Sequence, residues 1–563
     1  MSDEQFYSEI ETQIPCELIF GKIIRSPYKS GILKKISLSD DSMSDGDVQI
    51  FPFSEIFGEE THIRYEGEGV ALAVGRDKQL LSELSFQFAI EDDSSENAET
   101  QFATQKKTRT NVTAQSEEEF KNLFDTAHLV TQETWTSEID SLSCTETEGA
   151  AAYFAEGNLT VFSPLKDTEN VLGKIHDTTR LESGRISFVK TISHEKNTNA
   201  NYYCALCAVL ASFAATKTGK AVIVSLSREE QEEFVENPLT VTAKITTAFN
   251  EENKLLAATV EVSANLGAFC QFAQTFLDEA LKKSLGFYAP TFYSISAEAK
   301  FARSRPRAID FSMLDAQLFF GIECHFNKIA DISGDSPKTL RLKNISSELA
   351  EKDKITDGMK KSCGLLDDCV KIKLEEFEVN DLTKFEKTLV NDFDFSPSVF
   401  DRKWSSYRLT NKKKSLLYKN SNLRGTGLSF CFKESNAENF SGTAFAFCTL
   451  EIEINPLTYK EEITEIRLFV NGGKLLNQER AVSTVKAAIQ RMVKIMMNDN
   501  CANCENIVIR FLKSNDEAKK IGDLVHSVLP SAFISAISQA LDCTVTDFPI
   551  GSRKIFDILE GKS

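Results

Sequence analysis

This 563-residue chain has little of the usual apparatus that advertises a chemistry. It contains no Gly-Lys-Ser/Thr phosphate loop and no G-x-G-x-x-G turn, so neither common nucleotide-binding signature is present. Gly425-Thr-Gly427 is too short to serve as a phosphate loop. The six histidines are His62, His128, His176, His194, His325 and His526, and none forms a His-x-x-x-His or His-Glu-x-x-His pair. A hydrolytic zinc site of that kind is therefore not expected. No run of 18 apolar residues occurs, so no span of a bilayer is expected. The first residues, Met-Ser-Asp-Glu-Gln, are acidic and lack an apolar stretch, so a secretory signal is not expected either. Positive charge is in deficit: 64 Lys and Arg face 83 Asp and Glu, a net charge of −19. Such a surface disfavours non-specific binding to nucleic acid or to anionic membrane.

What is present is a large apolar fraction, 42%, ample for two or more domains. Thirteen cysteines, an odd number scattered over the chain, read as reduced thiols in a cytoplasmic protein. Residues 1–90 read as strand-rich. Cys16–Arg25 and Ile32–Leu38 suit paired strands about a turn at Ser26-Pro27, and Val70–Val74 suits a buried strand. Asp77 is placed to cap a helix from Lys78 to about Phe88. Residues 91–119 are polar and read as a linker. Tyr202–Thr216 is apolar nearly all round, as in a buried helix, and Ala221–Leu226 reads as a buried strand. Ser227-Arg-Glu-Glu230 has the form of a capping box. Leu239–Phe249 and Lys254–Ala264 alternate about Asn250–Asn253, as in a hairpin. Asp315–Asp331 has the spacing of an amphipathic helix. Residues 346–420 are charged and weakly patterned. The last third reads as strands over Phe445–Asn455, Glu465–Asn471 and Ile507–Leu512, a helix over Val482–Met497, and two helices around Asp516–Val525 and Ser531–Leu541.

Four motif echoes then run in order: Gly21-Lys-Ile-Ile-Arg-Ser-Pro27, Tyr65-Glu-Gly-Glu-Gly-Val-Ala-Leu-Ala-Val74, Leu340-Arg-Leu-Lys-Asn344 and Lys520-Ile-Gly-Asp523. Between them lie Glu146-Thr-Glu-Gly149, Thr160-Val-Phe-Ser163, Lys217-Thr-Gly-Lys-Ala-Val222, and Gly321-Ile-Glu-Cys324 through Ile329-Ala330 followed by Ser336-Pro337. In this order they resemble the molybdenum-binding (molybdopterin) subunit of the xanthine dehydrogenase/aldehyde oxidase family, in a divergent and shortened form. The resemblance implies an α/β (α+β) fold with a small N-terminal hammerhead-like domain and a reduced two-lobed molybdopterin-binding-type domain. The divisions expected are 1–90 for the hammerhead-like domain, 91–119 for the linker, 120–345 for the first subdomain, 346–420 for a charged divergent segment and 421–563 for a truncated second subdomain.

The departures from the family pattern concern the cofactor. Where the family has G-G-F-G-G, this chain has Ser193-His-Glu-Lys-Asn-Thr-Asn-Ala200, without the glycine that lets backbone approach a ligand. The arginine of R-G-F-G falls on Phe311, and no apolar ring replaces a guanidinium fork. The block containing G-Q-G is missing between Phe430 and Thr449. The family's V-G-E, whose glutamate acts as the base, is represented by Ile521-Gly522-Asp523. Asp523 is one methylene shorter, and a misplacement of about 1 Å can cost on the order of 100-fold in rate. By resemblance, Asp523 is the catalytic candidate and Gly522 the cofactor-binding candidate, with no metal ligand assigned. His526, one helical turn on, is either an acid–base partner of Asp523 or an incidental surface neighbour.

The expected function is a homologue of this subunit that has lost molybdopterin and acts as a structural or regulatory partner. An active molybdenum hydroxylase of a purine or aldehyde is the alternative. The partners implied are iron–sulfur and FAD subunits or a paralogous molybdenum subunit, with no nucleic acid and no membrane. The four-cysteine pattern of the family's iron–sulfur domains is absent. Two C-x-x-C pairs occur. Cys204/Cys207 suits core packing, and Cys501/Cys504, in a loop, is the better candidate of the two for a thiol or zinc site, a third and weaker functional reading.

Overall fold

The computed structural model describes residues 14, 17–39, 48–92, 102–139, 148–165, 168–191, 201–235, 237–270, 272–307, 309, 311–345, 401, 404–409, 422–437, 440–498, 502, 504–512, 516–519, 521–522 and 524–561. It is a mixed α/β structure of several sheets. The first sheet runs in the order β11 (Ile186–Lys190), β10 (Asn158–Ser163), β9 (Gly149–Ala155), β12 (Ala221–Ser225), β1 (Leu18–Arg25), β5 (Gly69–Gly75) and β3 (Val48–Pro52). Its middle is made of short apolar strands buried on both faces, such as Val70–Val74 and Ala221–Val224. Helix α1 (Asn201–Thr218) lies against it. The small side chains Ala150 and Ala152 on β9 meet Cys207, Ala208, Ala211 and Ala214 on α1, so helix and sheet approach closely.

The β1 strand does not pair with β2 (Gly31–Leu38), as the turn at Ser26-Pro27 suggested. It pairs antiparallel with β5 and parallel with β12. After Pro27 the chain crosses to a second, small sheet of order β4 (Thr61–Ile63), β2, β6 (Phe86–Glu91). Gly31 sits at φ +133 where that strand begins. Asp77 does cap a helix, accepting from the N–H groups of Gln79 and Leu80, but the helix ends at Glu83. Phe86, Phe88 and Ile90 then take the strand β6, whose alternate residues face the core.

The third sheet has the order β20 (Asp547–Phe548), β8 (Leu129–Glu138), β13 (Thr240–Phe249), β14 (Leu255–Asn265), β15 (Phe292–Lys300) and β7 (Gln105–Thr110). The expected β13–β14 hairpin is present. β7 occupies part of the stretch read as a linker, with Lys106 and Lys107 paired to Glu298 and Asp278. The fourth sheet, β16 (Leu423–Ala437), β17 (Phe440–Asn455), β18 (Lys460–Asn471) and β19 (Ile507–Phe511), carries α2 (Gln478–Met497) between its last two strands.

Two helices join these sheets. α3 (Phe311–Ser333) is not amphipathic: residues 313–327 are buried without interruption. One side meets β8 and β13, and the other meets α4 (Leu524–Leu541) and β16. α4 is long and apolar enough to cross a membrane, but 94% of it is buried inside the protein, as a core helix. It replaces the two helices expected around Pro530, which lies inside it. Residues 516–519 are not helical. Gly425 and Gly427 on β16 make this packing possible. A Cβ on Gly425 would stand 1.9 Å from the Ala536 carbonyl oxygen, and one on Gly427 would stand 1.8 Å from that of Ala532.

Candidate functional site

The motif segments meet in two places. In the first, Arg25 at the end of β1 donates from Nε to Glu230 Oε1 at 3.0 Å and from Nη1 to the Gly67 carbonyl at 3.1 Å. Its guanidinium lies 3.8 Å over the Phe234 ring. Glu230 also closes the capping box with Ser227, as its spacing predicts. Glu148, ahead of β9, is tied by its N–H to Gln231 Oε1 at 3.2 Å, and the Cys204 thiol donates to its carboxylate. Burial, followed by the charge of Glu148, pushes the thiols of Cys204 and Cys207 well up. Both stay protonated and pack as small apolar groups, in keeping with the core reading of that C-x-x-C pair.

In the second place, the Glu323 to Asn344 run forms a buried knot. Arg341 and Glu323 have fully buried side chains. Arg341 Nε donates to Glu323 Oε2 at 3.0 Å, and its other nitrogens reach Asn327 Oδ1 at 3.2 Å and the carbonyls of Pro337, Glu323 and Leu428 at 3.1, 2.9 and 3.2 Å. Glu323 accepts further from Tyr288 Oη at 2.7 Å and from Phe430 N at 2.8 Å. Asn327 Nδ2 reaches Leu428 O at 2.8 Å and Ser535 Oγ at 2.6 Å. Three elements from distant parts of the chain, α3, β16 and α4, are thus fastened together. Every strong donor and acceptor here faces another protein group, so the run is architectural.

The sequence-predicted site residues fall as follows. Asp523 lies outside the described residues, as do residues 193–200 and Cys501. Gly522 is described, and an added Cβ there would meet nothing within 4 Å, so packing does not demand glycine. The position aligned with the family's arginine, Phe311, opens α3, and the following Met313 and Leu314 are buried in the apolar core. The same corner receives Cys431, whose thiol donates to the Leu524 carbonyl at 3.3 Å, and Lys433, 3.5 Å from Asp315. The structure therefore brings the 311–315 segment and the residue after Asp523 to one strand, β16. Where the G-Q-G block is missing, β16 and β17 pair directly up to Ala437 and Phe440. His526 is 6% exposed on α4, so it is no surface neighbour of residue 523. Cys504 is 2% exposed with its thiol raised by burial, which leaves it a poor metal or redox ligand. Among the described residues no group of three His, Cys, Asp or Glu is arranged to hold a metal.

A cavity of about 190 Å³ opens elsewhere, between the C-terminal halves of α3 and α4. It starts at Cys324, roughly 20 Å along α3 from Phe311 at about 1.5 Å per residue. Trp135, Arg408 and Asp542, which line it, were not singled out by the sequence. They are far apart in the chain, and no spacing signals them.

Residues 103–345 match the family model of the molybdopterin cofactor-binding domain. No curated protein matches the sequence. The fold is similar to that of quinoline 2-oxidoreductase from Pseudomonas putida 86, with a TM-score of 0.74 at 11% identity, covering 100% of this chain and 98% of that one. It is similar to CO dehydrogenase from Oligotropha carboxidovorans, with a TM-score of 0.73 at 10% identity, covering 100% and 96%. It is also similar to aldehyde oxidoreductase from Desulfovibrio gigas, with a TM-score of 0.71 at 11% identity, covering 98% and 78%. At such identities the likeness is one of fold, and with the family model it bears out the resemblance read from the motifs. Met313 and Leu314 are buried in the apolar core and the Cys431 thiol is bonded to backbone, so these side chains offer no charged donor to an anionic group.

Proposed function

We propose that the chain is a structural or regulatory homologue of the molybdopterin-binding subunit that has lost the cofactor. In this reading it works in the cytoplasm beside an active paralogous subunit or the iron–sulfur and FAD subunits of such an assembly. The observation that carries it is the contrast between the two motif clusters and the cofactor positions. The Glu323–Arg341 knot is complete, while the corner at Phe311 and Leu524 is closed by apolar and thiol side chains. The direct β16–β17 hairpin leaves no chain for the missing block. Molybdenum analysis and pterin fluorescence on protein from a cofactor-competent host test this. Neither should be found, and stoichiometric molybdenum with pterin would overturn it.

A second reading is favoured by the match of residues 103–345 to the cofactor-binding family model. In it the chain is an active molybdenum hydroxylase of a purine or aldehyde, the cofactor supplies the redox chemistry, and Asp523 accepts the proton. Asp523→Ala would then abolish turnover while leaving the molybdenum content unchanged. The Cys501/Cys504 reading loses ground to the burial of Cys504.

A further inference from the structure

We draw no further inference here: the strongest candidate, the half-open cavity between the C-terminal halves of α3 and α4, is lined by the carboxylates of Asp331 and Asp542 as well as by the cations of Lys328 and Arg408, so its charges single out no class of ligand, and nothing in the structure shows what covers it.

Discussion

Replacing Arg341 by methionine is the sharpest test of the buried knot. The guanidinium makes five hydrogen bonds, to Glu323 Oε2, Asn327 Oδ1 and three backbone carbonyls, with its side chain fully buried. Methionine keeps much of the stem volume and none of the donors. Glu323 would then remain a buried carboxylate facing only Tyr288 Oη and Phe430 N. Removing one partner of such a pair costs about 3–5 kcal/mol, because the other charge is left uncompensated. At about 2–4 °C per kcal/mol for domains of this size, the melting transition should fall by roughly 6–20 °C. The double variant Glu323→Leu/Arg341→Met removes both charges and should recover at least about 1 kcal/mol over Arg341→Met. Full recovery is not expected, since Tyr288 Oη and Phe430 N would lose their acceptor at about 1–3 kcal/mol each. Thermal and urea unfolding, followed by circular dichroism, measure both. A loss below about 1 kcal/mol in Arg341→Met, or no recovery in the double variant, would refute the electrostatic account of the knot.

Other substitutions test the packing and the protonation states. Gly427→Ala places a Cβ against the Ala532 carbonyl, and the overpacking should cost about 1–3 kcal/mol or more in urea unfolding. Gly522→Ala meets nothing and should stay within about 0.5 kcal/mol of the parent. His325 is fully buried, with Nε2 shared by Thr131 and Thr247, and burial lowers its pKa from 6.5 to about 3. The native state therefore holds it neutral while the unfolded chain takes up a proton below about 6.5. Stability should fall as pH drops from about 6.5 towards 3, by up to about 1.4 kcal/mol per pH unit from this residue. His325→Leu should flatten that part of the profile, and an unchanged slope would show that His325 is not the titrating group.

The sequence was most informative where a single element carries its own signal. Alternation about Asn250–Asn253 suffices for a hairpin, and Ser227 with Glu230 suffices for a capping box. It was least informative where tertiary contact overrides the local pattern. Phe86, Phe88 and Ile90 suit either a helix end or a strand, and pairing with β2 decides for the strand. Pro530 reads as a helix break, yet α4 continues through it in an enclosed apolar site. The β1 strand looked like half of a hairpin, but its partners lie some fifty and two hundred residues away. The cavity at Trp135, Arg408 and Asp542 has no sequence signature, because segments far apart in the chain line it together.

The motifs themselves divide by what they do in the fold. Arg341, Asn344, Glu323 and Asn327 bond to backbone and to each other, and Gly425 and Gly427 admit α4 against β16. Substituting any of them is penalised whether or not a cofactor is present, because the fold itself needs them. A position that serves only a ligand carries no such penalty. At Gly522, the cofactor-binding candidate by resemblance, a side chain would meet open space, so packing does not preserve the glycine. Phe311, where the resemblance expects an arginine, opens a helix whose next turn lies in the apolar core. Motif resemblance in this chain is therefore strong evidence for the scaffold and weak evidence for the chemistry. Molybdenum content separates the two, because the knot holds the scaffold together whether or not a cofactor is bound.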